Sequence, residues 1–160
     1  MPPLRRRSGA AVLTAAVLLL AACAAPRGDA PAERFRRMAE TALDEIATVY
    51  IESVPPRHLT RAGLTGLQEL APSLAVEMRD GRATLRRADG APIAGAALPE
   101  GDAPAAWADL AAELVFAARA DIPTLAEAPP EDVYDAFFSG MTAPLDSFSR
   151  YAGRQAARDA

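Results

Sequence analysis

The chain has 160 residues, of which 17 are basic and 21 acidic, and its formal net charge is −4 with the one histidine neutral. An acidic chain lacks the basic patch that binding to phosphates requires, so we expect no nucleic-acid partner. With a single cysteine the chain cannot form an internal disulfide, and its length suits one small domain with a modest core.

The first residues have the layout of a secretory signal peptide. Three arginines at positions 5–7 precede an apolar run at residues 10–20, which is shorter than the roughly 20 apolar residues that cross a bilayer. The only cysteine, Cys23, directly follows a Leu-Ala-Ala sequence. This arrangement resembles the bacterial lipobox, which implies that residues 1–22 are removed and that Cys23 becomes the lipid-carrying N-terminus. The alternative is a secreted protein with a free thiol, cleaved at an Ala-x-Ala site.

Lipidation of Cys23 would attach the protein to a membrane. Residue 24 is alanine and not aspartate, which in bacteria with two membranes is typical of lipoproteins that move to the outer membrane. We therefore expect a lipid-anchored protein on the periplasmic side of the cell envelope. Residues 23–32 contain two prolines and a glycine without apolar periodicity, which predicts a flexible tether.

Two helices are predicted next. Apolar residues at three- and four-residue steps predict a helix from Glu33 to about Ser53, with a buried stripe of Phe35, Met38, Ala42, Ile46, Val49 and Tyr50. A second helix is predicted from Pro56 to about Leu70, since proline is favoured at the first helical position. Its two glycines, Gly63 and Gly66, indicate a close approach to another backbone. The alternative is a weak and poorly packed helix.

After the second helix, the sequence changes to short runs in which apolar residues alternate with polar or small ones. Asp80-Gly81 lies between two such runs, which predicts a β-hairpin at residues 74–86. The following residues, up to 105, are rich in Gly, Pro and Ala and predict a loop with one short strand around Ile93.

Two further helices complete the pattern. An apolar stripe runs from Trp107 to Ile122, and Pro123 should lie just past the end of that helix. The last helix should start around Pro130, with an inner face of Val133, Ala136, Phe137, Gly140 and Met141.

The two helical pairs resemble each other. Residues 54–59 align with residues 128–133 around a shared Pro-Pro step, and the same register pairs Ala62 with Ala136 and Gly66 with Gly140. The sequence thus predicts a mainly α fold, in which two helix-turn-helix units pack as a small helical bundle with the β-hairpin inserted between them. The helical domain would span residues 33–155, its hairpin-and-loop insert residues 74–105, and a tail residues 156–160.

The segment 137–151 carries a family signal. It resembles the end of the N-terminal helical region of carboxyl-terminal processing (tail-specific) peptidases, family S41, in which a Gly-Met helix is followed by Leu-Asp-Pro-His-Ser and a tyrosine. The matching residues are Gly140, Met141, Leu145, Asp146, Ser149 and Tyr151. Ser147-Phe148 departs from the family's Pro-His. Upstream, the Tyr50-Ile51 step and the Ala62, Gly66 and Leu67 spacing are also similar to the family's opening helix pair.

This resemblance implies a non-catalytic role. Family S41 enzymes use a serine activated by a lysine together with a PDZ domain, and this chain has no lysine, so we expect no activity from it alone. It would be the lipid-anchored N-terminal piece, truncated or separately encoded, of an envelope peptidase whose PDZ and catalytic domains are its partners. Ser149 would be a turn residue, and Phe148 and Tyr151 would pack beside Met141.

The residues themselves leave two alternatives open. The chain would be a complete small lipoprotein that binds another envelope protein through the exposed remainder of its helical stripes and through Phe137 or Phe138. As an independent hydrolase it could use only His58 as a base, and the position of His58 beside Pro-Pro instead favours a surface or capping role. One histidine and no free cysteine also give no basis for a metal or cofactor.

Overall fold

The computed structural model describes residues 30–50 and 54–145. Four of the predicted site residues, Cys23, Asp146, Ser149 and Tyr151, therefore lie outside the described residues. So do the predicted signal peptide and the tail.

All five α-helices of the described residues begin with proline at the first helical position, where its missing N–H leaves no hydrogen bond unmade. The helices are α1 (Pro31–Val49), α2 (Pro56–Gly66), α3 (Pro104–Asp121), α4 (Pro123–Glu127) and α5 (Pro130–Thr142). A single 3₁₀ turn, Leu67–Glu69, extends α2. The mainly α fold with a β insert is thus confirmed. The short helix α4 was not predicted, although Pro123 does follow the end of α3.

The buried face of α1 differs from the predicted one. Phe35, Ala39 and Leu43 are fully buried, whereas the predicted stripe of Met38, Ala42 and Ile46 is only half-buried. Val49 is 72% exposed, because α1 ends there and the next residue is already extended. Two apolar rows lie side by side on α1, and only the packing against α3 decides which of them enters the core.

The insert is a three-stranded antiparallel sheet in the order β1 (Ala75–Arg79), β2 (Arg82–Arg86) and β3 (Pro92–Ala97). Asp80 and Gly81 both have positive φ, at 51° and 70°, as a type I′ turn requires, so the predicted hairpin is confirmed. The sheet packs against α2 through β1 and against α3 through β3.

The core is centred on aromatic rings. Phe35 of α1 contacts Phe116, Tyr134, Phe137 and Phe138, with ring centroids 4.9–6.2 Å apart. Phe137 and Phe138 are each 1% exposed. The prediction that either residue forms a partner-binding surface is therefore wrong, because both rings fill the space between α1 and α5.

The helices pack in two main pairs, α2 with α5 and α1 with α3. This is the predicted arrangement of two helix-turn-helix units face to face. Among the described residues, no helix has the length and apolar character needed to cross a membrane.

Candidate functional site

The crossing of α2 and α5 at Gly66 and Gly140 brings two helix backbones into direct contact. A Cβ atom on Gly140 would lie 2.7 Å from the carbonyl oxygen of Ala62 and 2.7 Å from the Cα of Gly66. A Cβ atom on Gly66 would overlap the carbonyl oxygen of Ala136. The obstructing atoms are all backbone, so no rotamer change relieves the clash. The predicted close backbone approach is confirmed for Gly66, whereas a Cβ atom on Gly63 would meet the side-chain ring of Phe137 at 2.8 Å. The alternative of a poorly packed helix is wrong.

The contacts at this crossing are reciprocal. Gly66 meets Ala136 and Gly140, while Gly140 meets Ala62 and Gly66. These are the pairs that the repeat register equates, Ala62 with Ala136 and Gly66 with Gly140. Reciprocal contact between equivalent positions is the geometry of a two-fold axis. The contacts between α2 and α5 at this point therefore have a local two-fold symmetry that exchanges the two helices.

The described residues of the predicted motif at 140–151 lie at the end of α5. Gly140 makes the crossing, Met141 is 1% exposed in the core, and Leu145 is half-buried against the core. The Leu145 N–H donates to the Thr142 carbonyl at 3.0 Å, so the chain stays on the body of the domain beyond the last helical turn. The structure thus places Gly140, Met141 and Leu145 together.

A shallow pocket of about 410 Å³ opens beside the crossing. His58, Arg61, Thr65 and Ala143 form its rim, with the two crossing glycines between them. The Thr65 hydroxyl donates to the Arg61 carbonyl at 2.9 Å and is therefore engaged within its own helix. Among the described residues, no serine or carboxylate lines this pocket, so the described lining supplies no nucleophile or orienting acid for His58.

A larger groove of about 670 Å³ lies between α1 and α5, and we call it the α1/α5 groove. Its floor is apolar and its rim carries charged residues of α1. The lining residues are Arg34, Arg37, Met38, Thr41, Ala42, Glu45, Ile46, Phe138, Met141 and Thr142. Sequence reasoning missed it, because Met38, Ala42 and Ile46 were assigned to the core. The sequence does indicate such a groove, because α1 carries two adjacent apolar rows, and together they are wider than the surface that one partner helix can cover.

One end of the groove is fixed by a hydrogen bond. The Tyr134 hydroxyl of α5 donates to the Pro31 carbonyl at the start of α1, at 3.2 Å. Burial raises the pKa of Tyr134, partly opposed by Arg34 and Arg119, so the hydroxyl keeps the proton that it donates. The N-terminus of the domain is therefore attached to α5.

On another side of α5, Asp132, Asp135 and Glu69 line a small polar pocket of about 270 Å³. Burial raises the pKa of Asp135, and the neighbouring charges of Asp132, Glu131 and Glu69 raise it further. In the part of the chain that the structure describes, no group of three or more His, Cys, Asp or Glu side chains could hold a metal ion.

Comparison with protein-family models found no match for the chain, and comparisons with curated proteins and with solved structures found no significant match.

Proposed function

We propose that the chain is the lipid-anchored, non-catalytic N-terminal helical region of an S41-like processing peptidase of the cell envelope. The observation that carries the proposal is the crossing of α2 and α5. The two segments that carry the family resemblance, Ala62–Leu67 and Gly140–Met141, pack directly against each other there. Motif residues that meet in one rigid contact have a structural role that needs no catalytic group.

In this role the helical domain fixes the position of the peptidase body relative to the lipid anchor. The tether from Cys23 enters at Pro31, which Tyr134 holds against α5. The chain leaves through Met141 and Leu145, which pack on the core at the other end of α5. From Tyr134 to the last residue of α5, Thr142, the path is about 12 Å at 1.5 Å per helical residue. Entry and exit are thus joined by one helix, which gives the anchor a short and stiff connection to the peptidase body.

The anchor is tested by metabolic labelling with a radioactive fatty acid. The unmodified protein and an Ala25→Ser control should incorporate label, whereas Cys23→Ala should not, because its side chain cannot carry a lipid. Equal labelling of Cys23→Ala and the unmodified protein would exclude lipidation at this site. Membrane fractionation of the labelled protein then tests the expectation, drawn from Ala24, of an outer-membrane location.

The peptidase assignment is tested in envelope extracts with an antibody raised against the helical domain. Mass spectrometry of the captured material should identify a PDZ domain and a Ser/Lys peptidase, either in the same polypeptide or in a stably associated one. Capture of this chain with neither would contradict the assignment. The small protein-binding lipoprotein would then be the better description, and any other envelope protein captured would be its candidate partner.

A further inference from the structure

We infer that the segment after α5 folds back onto its own domain and places Phe148 in the α1/α5 groove. The inference concerns a contact within this chain and holds whether or not a peptidase body is attached. It rests on the local two-fold symmetry at Gly66 and Gly140, on the apolar groove, and on the point where the chain leaves α5.

This two-fold symmetry, extended to the neighbouring helices, predicts a counterpart for the α1/α5 groove. Exchanging α1 with α3 and α5 with α2 turns the α1/α5 groove into the cleft between α3 and α2. This counterpart is closed, because α2 and α3 contact each other directly and β1 packs on α2 while β3 packs on α3. The covering strands belong to the segment that comes directly after α2. By the same symmetry, the segment directly after α5 is the natural cover of the α1/α5 groove.

The repeat register identifies the residue that occupies the α1/α5 groove. Continued past Gly66 and Gly140, it pairs Ala71 with Leu145, Ser73 with Ser147, and Leu74 with Phe148. Ala71 and Leu74 are each 2% exposed, so the chain after α2 turns into the core at these two positions. Leu145 already packs on the core as the equivalent of Ala71. Phe148 is then the equivalent of the buried Leu74.

The groove fits this occupant. Its floor includes Phe138 and Met141, whose register partners are Leu64 and Leu67. Phe138 and Met141 are as fully buried as these leucines, whereas Met38, Ala42 and Ile46 on the α1 side of the groove are only half-buried. The exposed parts of these three α1 side chains would gain stability if an aromatic side chain removed them from water.

The distances also permit the contact. The groove runs along α1 from Arg34 to Ile46, about 18 Å at 1.5 Å per residue. Phe148 lies six residues beyond Thr142, which itself lines the groove, and six extended residues span about 20 Å. The other parts of the mature chain outside the described residues are poorer occupants. Residues 24–29 carry no aromatic or branched aliphatic side chain, and residues 51–53 are too few to span the groove.

Hydrogen–deuterium exchange of the full chain, purified in mild detergent, tests the contact. The amides of residues 147–152 should exchange about tenfold or more slowly than in an unstructured peptide of the same sequence. Phe148→Ala should abolish that protection, while Ser149→Ala should retain it. On the groove side, Ala42→Arg should abolish it, and Ala47→Arg, the same change on an exposed position of α1 outside the groove, should not.

Three results would overturn the inference: full-rate exchange of residues 147–152 in the unmodified chain, protection that survives in Phe148→Ala, or protection that depends on protein concentration. The last would mean that a second copy supplies the segment. Circular dichroism establishes whether Ala42→Arg is folded. If it is not, Phe148→Ala decides alone, because it alters no contact among the described residues.

Discussion

The crossing of α2 and α5 makes a sharp prediction about Gly140→Ala. At an open helical position this change stabilises the helix by about 1 kcal/mol, because glycine is the poorer helix former. At Gly140 the added Cβ would lie 2.7 Å from two backbone atoms, whereas ordinary contacts begin at 3.4 Å. The helices must therefore separate by roughly 0.7 Å, and a gap of that size forfeits a quarter to a half of each dispersion contact along the interface.

Overpacking of this kind costs about 1–3 kcal/mol, and the upper end applies where backbone must move. After the gain in helix propensity, we expect Gly140→Ala to lower the free energy of unfolding by about 2 kcal/mol. Gly66→Ala should cost more, because its Cβ would overlap the Ala136 carbonyl oxygen more closely. The double variant should lower the free energy of unfolding by less than the sum of the two single variants, since one separation of the helices accommodates both methyl groups.

The assay is urea unfolding followed by far-ultraviolet circular dichroism. Ser139→Ala is the matched control, because Ser139 is exposed on the same helix and should change stability by no more than about 0.5 kcal/mol. A Gly140→Ala variant more stable than the unmodified chain would refute the close crossing. If the changes in the free energy of unfolding of the two glycine variants were strictly additive, the reciprocal contact between Gly66 and Gly140 would be refuted.

Three further variants are read out by the same unfolding assay. Thr60 is fully buried and its hydroxyl has no partner among the described residues, so Thr60→Val should raise stability by about 1–2 kcal/mol; a loss would contradict this. Arg119 donates to the carbonyls of Leu125 and Ala128, so Arg119→Met should cost about 1.5–3 kcal/mol, and an unchanged midpoint would show that these bonds contribute nothing. The raised pKa of Asp135 means that its protonated form favours folding, a contribution present below about pH 3.8 and lost as pH rises through the folded value. Asp135→Asn should therefore gain stability relative to the unmodified chain between pH 4 and pH 7, and a constant difference would contradict the shift.

Local chemistry made most of the helices and the hairpin predictable. Proline at a first helical position and the Asp80-Gly81 turn act through the backbone of a few neighbouring residues, so they need no knowledge of the rest of the fold. The close approach at Gly66 was predictable for a similar reason. Two glycines inside one turn of a helix weaken it, and a backbone contact is the physical compensation.

The orientation of α1 could not be predicted in this way. The rows that begin at Phe35 and at Met38 have the same four-residue spacing, and both are apolar. Which row is buried depends on α3 and on the aromatic cluster that Phe35 joins, and these contacts are distant in sequence. The same limitation hid the α1/α5 groove, whereas the burial of Phe137 on the inner face of α5 was predicted correctly.

The two halves of the domain differ mainly in the segment that comes after their second helix. After α2 the chain forms a sheet whose face away from the helices carries ion pairs, including Glu77 with Arg79 and with Arg86. A charged face of this kind is stable in contact with water, so it offers no apolar surface on which another element could pack. After α5 the described chain still rests on the core at Leu145, and the groove beside it is apolar. The α5 end is therefore where additional structure would gain the most stability from docking.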